Sequence, residues 1–317
     1  MLFDLIRPGL KTVLDGQVTT DAAWEPFGVT DQFLADAETY HQNYFSDTYW
    51  PKETRRAVEL TGVDPHSLKT VLDVGSGSGN TVFPALELAP NAVVVASDVS
   101  PQLLRILRRY AVERRLDVSR LETLCFDVHK DFFRPESFDL ILGNAVLHHL
   151  LRPDVALANV LRWLKPNATA VFFEPFEYGF LFLSSIFQII IDEARYKDAP
   201  PELISVLRGV RNDWEHRYGP GRMKPWTEAL DDKWLFTKSY LDAVCEAEGC
   251  PPAELHPIHR PDEYARDAVL GYLYLCGHRN VEIPDWVSQI LSEFDQGVSR
   301  GLKHRLFKEA ITIFRKP

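Results

Sequence analysis

Between residues 69 and 175, short apolar runs rich in β-branched residues alternate with stretches whose apolar positions recur at helical spacing. The runs are KTVLDV (69–74), AVVVAS (92–97), residues 121–126, FDLIL (138–142) and ATAVFF (168–173). AVVVAS has no polar face, as expected of a strand covered on both sides in a parallel sheet. Between the runs, Ser100 is a helix cap with Pro101 at the first helical position, ahead of QLLRILRRYAVERRL. TVFPALELA is helical if Pro84 falls in the first turn, and 153–164 is a further helix. This rhythm predicts an α/β fold, a doubly wound and mostly parallel sheet with helices on both faces. Ligands of such sheets sit beyond the carboxyl ends of the strands.

The flanks divide the chain into four parts. Residues 1–66 carry helix formers and the aromatics Trp24, Phe33, Tyr40, Tyr44, Phe45, Tyr49 and Trp50, and read as a helical N-terminal cap over one end of the sheet. Residues 67–175 are the core. Residues 176–237 are too long for a loop and read as a helical insert, a lid over the substrate. Residues 238–317 complete the core with a helix at 238–248 and strands at 254–259 and 309–314, seven strands in all. The most apolar window, FLFLSSIFQIII (180–191), falls well short of the ~20 residues that cross a bilayer. It predicts a buried helix or a cover for an apolar substrate, without stable membrane insertion. Left exposed, it would be an interface to a second copy of the chain.

Charge narrows the partners. The 317 residues hold 35 Lys and Arg against 45 Asp and Glu, a formal net charge of -10. Nucleic-acid binders draw most of their affinity from neutralising phosphates, so a small molecule is the expected partner and nucleic acid is not. Cys125, Cys245, Cys250 and Cys276 form no C-x-x-C pair and match no zinc-site spacing. Reduced, buried thiols in a cytoplasmic protein are expected, and the N-terminal segment lacks the sustained apolar stretch of a secretory signal.

The densest chemistry lies in Val71-Leu72-Asp73-Val74-Gly75-Ser76-Gly77-Ser78-Gly79-Asn80. Three alternating glycines let the backbone turn sharply and approach a ligand closely. A dinucleotide fingerprint, G-x-G-x-x-G, would put its third glycine at position 80, which is Asn here. Asp73, two residues before the first glycine, repels a pyrophosphate and suits an ammonium group. D-V-G-S-G-S-G resembles motif I of the class I S-adenosylmethionine-dependent methyltransferases. FDLILGNAVLHHL (138–150) and LANVLRWLKPNATAVFFEP (157–175) are similar to the same family's fourth-strand motif and its following helix-turn-strand. The family's two glycines after Lys-Pro are here Asn167 and Ala168; Asn tolerates the left-handed turn. The resemblance is strong over 68–175 and weak over 238–315.

It implies a Rossmann-like sheet with an antiparallel last strand, and S-adenosylmethionine as cofactor with S-adenosylhomocysteine as product. Asp73, Gly75, Ser76, Gly77 and Gly79 would surround the amino-acid end, with Asn144 nearby. Asp98 would take both ribose hydroxyls, Asp127 the adenine amino group, and Val99 and Val128 would flank the adenine. Apart from the resemblance, if the helix predicted around residues 40–44 covers the cofactor, Tyr40 or Tyr44 would touch the methionine carboxylate. No metal is implied.

Methyl transfer needs alignment of the nucleophile and exclusion of water, and a hydroxyl acceptor gains from a general base. His148 and His149 follow the fourth strand. On a helix they diverge by about 100°, so one of them, His148, is expected to face the pocket. Glu174 ends the fifth strand and can orient a base; His41 is a rival base. His216, Tyr218 and Trp226 are candidates for the acceptor pocket. The reading is a methyltransferase acting on a small molecule, with oxygen ahead of nitrogen or carbon as accepting atom. The alternative from another class is a non-catalytic cofactor-binding scaffold. The place of the N/D-P-P-Y/F segment of base-amino methyltransferases is held by Asn144-Ala145-Val146-Leu147.

Overall fold

The computed structural model describes residues 6, 9–14, 16–22, 36–217, 232–258 and 262–317. Among these, nine strands form one sheet in the order β1-β2-β5-β4-β3-β6-β7-β9-β8. They are β1 (Leu10–Val13), β2 (Val18–Asp21), β3 (Thr70–Val74), β4 (Val93–Asp98), β5 (Leu121–Cys125), β6 (Phe138–Asn144), β7 (Leu164–Pro175), β8 (Glu254–Pro257) and β9 (Glu309–Arg315). The chain winds outward from β3 through β4 to β5, then returns to the other side of β3 with β6 and β7. These five strands run parallel, whereas β9 pairs antiparallel with both β7 and β8. The direction reverses between β3 and β6, so the cleft at their carboxyl ends is the expected ligand site.

Alternation along the strands sorts the core into two layers. Leu72, Val74, Ile141 and Phe172 pack on one face with Leu157 and Val160 of helix α5 (Pro153–Trp163) and Leu241 of α8 (Lys238–Ala247). Val71, Leu140, Leu142 and Val171 pack on the other with Val58 of α2 (Tyr49–Thr61), Val82 of α3 (Val82–Leu88) and Leu104 of α4 (Pro101–Glu113). Ser100 caps α4 through its hydroxyl and Pro101 opens the helix. Pro84 sits in the first turn of α3, where its missing N–H has no helical partner to lose. Asn167 stands at φ +62°, the left-handed turn that permits β7 to begin at Leu164, ahead of the run expected at 168.

Two expectations change. The first 66 residues are not a purely helical cap. Helix α1 (Ala37–Tyr44) and α2 follow a hairpin, β1-β2, whose second strand joins the edge of β5 through Thr19–Leu124 and Thr20–Cys125. This raises the sheet from seven strands to nine. The local signal was present in Thr12, Val13, Val18, Thr19 and Thr20 around Asp15-Gly16. Trp24 and Phe33 lie outside the described residues, as does His259 at the end of the expected strand at 254–259.

The insert is also not self-contained. Helix α6 (Glu177–Glu193) holds the apolar window and packs against α7 (Pro201–Arg217), and both lie against α9 (Tyr264–Leu275) and α10 (Asp285–Gly297). Leu183, Phe187 and Ile190 of α6 meet Leu203, Leu207, Val269 and Leu291 in a third apolar cluster. Leu181 and Ile189 remain exposed. Among the described residues no helix is long and apolar enough to cross a membrane.

Helix α6 approaches the sheet through Gly179, where a Cβ would lie 2.3 Å from the backbone nitrogen of Lys308. Since backbone has no rotamer with which to yield, Gly179→Ala is expected to cost about 1–3 kcal/mol in urea unfolding. Gly209 of α7 faces open space, so Gly209→Ala is expected to gain about 0.5–1 kcal/mol. Equal stability of the two variants would disprove the close approach.

Candidate active site

The glycine loop is tied to the end of β4 before any ligand arrives. Ser76 N–H donates to Ser97 O (2.8 Å), Ser97 N–H donates to Ser76 Oγ (2.9 Å), and the Ser76 hydroxyl donates to Asp73 O (3.0 Å). Ser76 is thus turned inward and serves the loop itself. Gly75, at φ +67°, passes so close under Val146 that a Cβ would meet its Cγ2 at 2.5 Å. The loops after β3 and β6 therefore pack directly on each other.

Four acidic and amide groups ring this cleft. Asp73 is fully buried; its Oδ1 accepts from the Thr81 hydroxyl (2.7 Å), while Oδ2 has no partner. Burial pushes its pKa up to about 7. Asn144, at the end of β6, likewise has a buried Oδ1 without a partner. Asp98 accepts Gly77 N–H on one oxygen and Ser100 N–H on the other, both at 2.8 Å, and burial raises its pKa. Asp127 accepts the backbone N–H (3.0 Å) and ring Nδ1 (2.7 Å) of His129. Burial pushes the Asp127 carboxyl up, but these bonds outweigh it and leave it below its ordinary range. Val99 is half-buried and Val128 buried, beside Asp98 and Asp127.

Helix α1 closes one side. Asn80, the residue that departs from the dinucleotide fingerprint, donates from Nδ2 to Tyr44 O (3.0 Å) and accepts Ser46 N–H (3.1 Å). That clamp brings Tyr40 to the loop: a Cβ on Gly77 would be 3.8 Å from the Tyr40 ring. Burial and the neighbouring Asp98 charge raise the Tyr40 hydroxyl above its ordinary range. The Tyr44 ring lies 4.8 Å from that of Tyr40 and is more exposed. His41 does not join the site. It is buried between Phe45 and Tyr110, its ring 4.1 Å from the latter, and burial lowers its pKa.

The other side is built on Glu174, the penultimate residue of β7. Its buried carboxylate accepts the N–H groups of Val146 (3.1 Å), Leu147 (2.8 Å) and His148 (3.2 Å), and His148 Nδ1 at 2.7 Å. Ala145, at φ +54°, turns the chain into the 3-10 segment Leu147–His149. Asp232 then receives both histidines: His148 Nε2 lies 3.4 Å and His149 Nδ1 3.2 Å from its Oδ1, and Arg217 Nη1 is 3.2 Å from its Oδ2. The expectation that one histidine faces the site is corrected. The tight 3-10 turn and a carboxylate from the insert bring both together, rings 4.1 Å apart.

The state of His148 also differs from that of a ready base. Burial favours the neutral ring, but Glu174 and Asp232 on its two nitrogens outweigh it and raise its pKa to about 9. Asp232 falls well below the usual carboxylate range: burial opposes this, and the His148 bond with the Arg217 charge prevails. Neither Asp232 nor Arg217 was singled out in the sequence. His216, which was, bonds Asn212 O within α7 and stays outside the cluster, one residue from Arg217. Tyr218 and Trp226 lie outside the described residues.

With this geometry in view, the likenesses to known proteins fall into line. Residues 72–170 match the family model described as Methyltransferase domain. Aklanonic acid methyltransferase DauC of Streptomyces sp. (strain C5) is 27% identical over 230 residues, covering 72% of this chain and 92% of that protein. tRNA N(3)-cytidine methyltransferase METTL6 of Homo sapiens is 31% identical over 139 residues, covering 41% of this chain and 47% of that protein. The chain spans about half the length of these tRNA methyltransferase relatives. A chain from the complex of the Haloferax volcanii Trm112 methyltransferase activator with a methyltransferase shares the fold, with TM-score 0.54 and 16% identity. It covers 90% of this chain and 97% of its own length. Phosphoethanolamine N-methyltransferase 2 of Haemonchus contortus, with S-adenosyl-L-methionine, has TM-score 0.53 and 13% identity, covering 91% of this chain and 58% of its own. Residues 72–170 thus form a methyltransferase domain, and the chain shares the fold of S-adenosylmethionine-dependent methyltransferases, whose cofactor is S-adenosylmethionine.

Glu174 is the anchor that this arrangement cannot replace. Glu174→Ala strands buried N–H groups and a charged ring, and is expected to cost about 3–5 kcal/mol in urea unfolding. A loss under about 1 kcal/mol would mean that the loop after β6 is held by other contacts.

Proposed function

We propose that the chain transfers a methyl group from S-adenosylmethionine to a small-molecule acceptor, with oxygen the first choice of accepting atom. The observation that carries the reading is the pair of buried acceptors without partners, Asp73 Oδ2 and Asn144 Oδ1. They lie at the ends of adjacent strands beside the glycine loop, where a cationic ammonium group would satisfy both. When bound, the cofactor supplies a sulfonium methyl group open to in-line displacement. Asp98, with each oxygen already oriented by a backbone N–H, would hold the ribose hydroxyls. Asp127 would meet the adenine amino group, between Val99 and Val128. Tyr40 covers the amino-acid end.

The acceptor would lie between the cofactor and the His148–His149–Asp232 cluster, whose donors and acceptors suit a hydroxyl and a departing proton. His148 enters this scheme as a cation held by two carboxylates, so it orients the acceptor through its charge, and the departing proton passes to solvent. The greater coverage of DauC than of METTL6, together with the -10 net charge, supports a small molecule over tRNA. Four cysteines present as free thiols fit a reducing compartment such as the cytoplasm.

Transfer of labelled methyl to small hydroxylated aromatic acceptors tests the activity, with tRNA as the competing substrate. Transfer to tRNA alone would overturn the acceptor class, and cofactor binding without any transfer would favour the scaffold. In calorimetry, Asp98→Ala is expected to weaken S-adenosylhomocysteine binding by about 10- to 100-fold; unchanged affinity would remove the ribose assignment.

Asp73 generates a pH dependence. Its folded-state pKa, about 7, is above the ordinary value, so the free protein takes up a proton there as the pH falls. An ammonium ligand needs the ionised form. Affinity for S-adenosylhomocysteine is therefore expected to be full near about pH 8 and to fall below about pH 7, by at most about tenfold per unit. In Asp73→Asn the profile is expected to be flat; the same slope in that variant would assign the titration elsewhere.

A further inference from the structure

We propose that His148 Nε2, His149 Nδ1 and Asp232 Oδ1 form a binding site for one transition-metal dication of the zinc type. Three potential ligand atoms face one another at the edge of the cleft. Asp232 Oδ1 lies 3.4 Å from one ring nitrogen and 3.2 Å from the other, and all three donor atoms fall within 4.8 Å of one another. Ring N–H protons bridge these atoms when no metal is bound, and a dication bound tetrahedrally at its ordinary bond lengths separates its ligands by about 3.3 Å, so it fits the same spacing in their place. The two spacings match that edge.

The groups behind the ligands point the same way. A metal-binding imidazole commonly gives its second ring N–H to a carboxylate, which fixes the tautomer and aims the free lone pair. Glu174 does this for His148, at 2.7 Å on Nδ1, and is itself held by three backbone N–H groups. Arg217 bonds Oδ2 of Asp232 and leaves Oδ1 as the single ligand atom. With both carboxylates ionised and Arg217 charged, the surroundings are net negative once the two imidazoles are neutral. Two nitrogens and one oxygen are borderline ligands, suited to zinc, cobalt or iron(II) rather than to magnesium or calcium, which prefer oxygen alone.

Three protein ligands leave a coordination position for a water or an acceptor atom. His149 and Asp232 are partly exposed, so that position opens to solvent. The inference deepens the proposed function: a hydroxyl bound there would be polarised and lose its proton more readily. It rests on that reading for the role of the metal, and on geometry alone for the site.

The test uses the full chain, stripped with a chelator and titrated with Zn2+ against a chromophoric competitor. One equivalent is expected to bind, and His149→Ala and Asp232→Asn are each expected to weaken it by about 10- to 100-fold or more. His66→Ala, on an exposed surface away from the cluster, is expected to leave it unchanged. S-adenosylhomocysteine binding, measured on the same samples, reports both the fold and the cofactor site, so loss of metal and loss of cofactor are read separately. Co2+ added to the intact chain is expected to give the visible bands of a nitrogen–oxygen site without a thiolate band, which decides the matter if the variants fail to fold. Absence of stoichiometric metal, binding unaffected by both variants, or a thiolate spectrum would overturn the site and leave protons as the mediating cations.

Discussion

A carboxylate without solvent must be met by donors, and Glu174 obtains four of them from a single neighbouring loop. This one constraint shapes the rest of the cleft. It holds the 3-10 segment Leu147–His149 in place, sets Val146 over Gly75, and turns the Nε2 side of His148 toward the insert. Removing solvent from the carboxylate makes each bond stronger, and makes each missing bond more costly. The loop after β6 consequently has little freedom to adopt another path.

The two sides of the cleft are fastened by different chemistry. On the cofactor side, neutral backbone and hydroxyl groups tie the loop after β3 to β4, and Asn80 clamps α1 above it. Those bonds consume Ser76 but leave Asp73 Oδ2 and Asn144 Oδ1 without partners. On the other side of the cleft, charge does the fastening, through Glu174, His148, Asp232 and Arg217. One side of the cleft therefore presents carboxylate and amide acceptors with spare capacity, and the other an ionic cluster whose charges are already paired.

Much of the first side was legible. The period-two runs, the Ser100-Pro101 helix start and the glycine spacing are local signals, and the strands appear where those signals lie. Asp98 ends β4 and Asp127 lies two residues beyond β5, positions legible from the strand pattern because a parallel sheet presents its carboxyl ends to a ligand. His41 was misread because a histidine on an aromatic helix face carries no mark of which neighbour it will meet; Tyr110, 69 positions later in the chain, settled that. The hairpin β1-β2 departs from the helical cap expected over 1–66: its turn signal is local, but its attachment to β5 pairs residues about a hundred positions apart, which no local pattern marks.

Sequence by itself determined the α/β class, the five parallel strands at the centre of the sheet and the glycine loop after β3, because these follow from periodicity and from residues close together in the chain. Only the tertiary structure decided the ionic cluster around His148. Arg217 and Asp232 lie far beyond His148 and Glu174 in sequence, on either side of a segment with no motif, and no local pattern marks them as partners. Charged groups find one another through space, at distances set by how the helices pack. That packing depends on contacts among α6, α7, α9 and α10, which are apolar and therefore non-directional. Such contacts can be anticipated as burial from a single sequence, but their partners emerge only when the chain is folded.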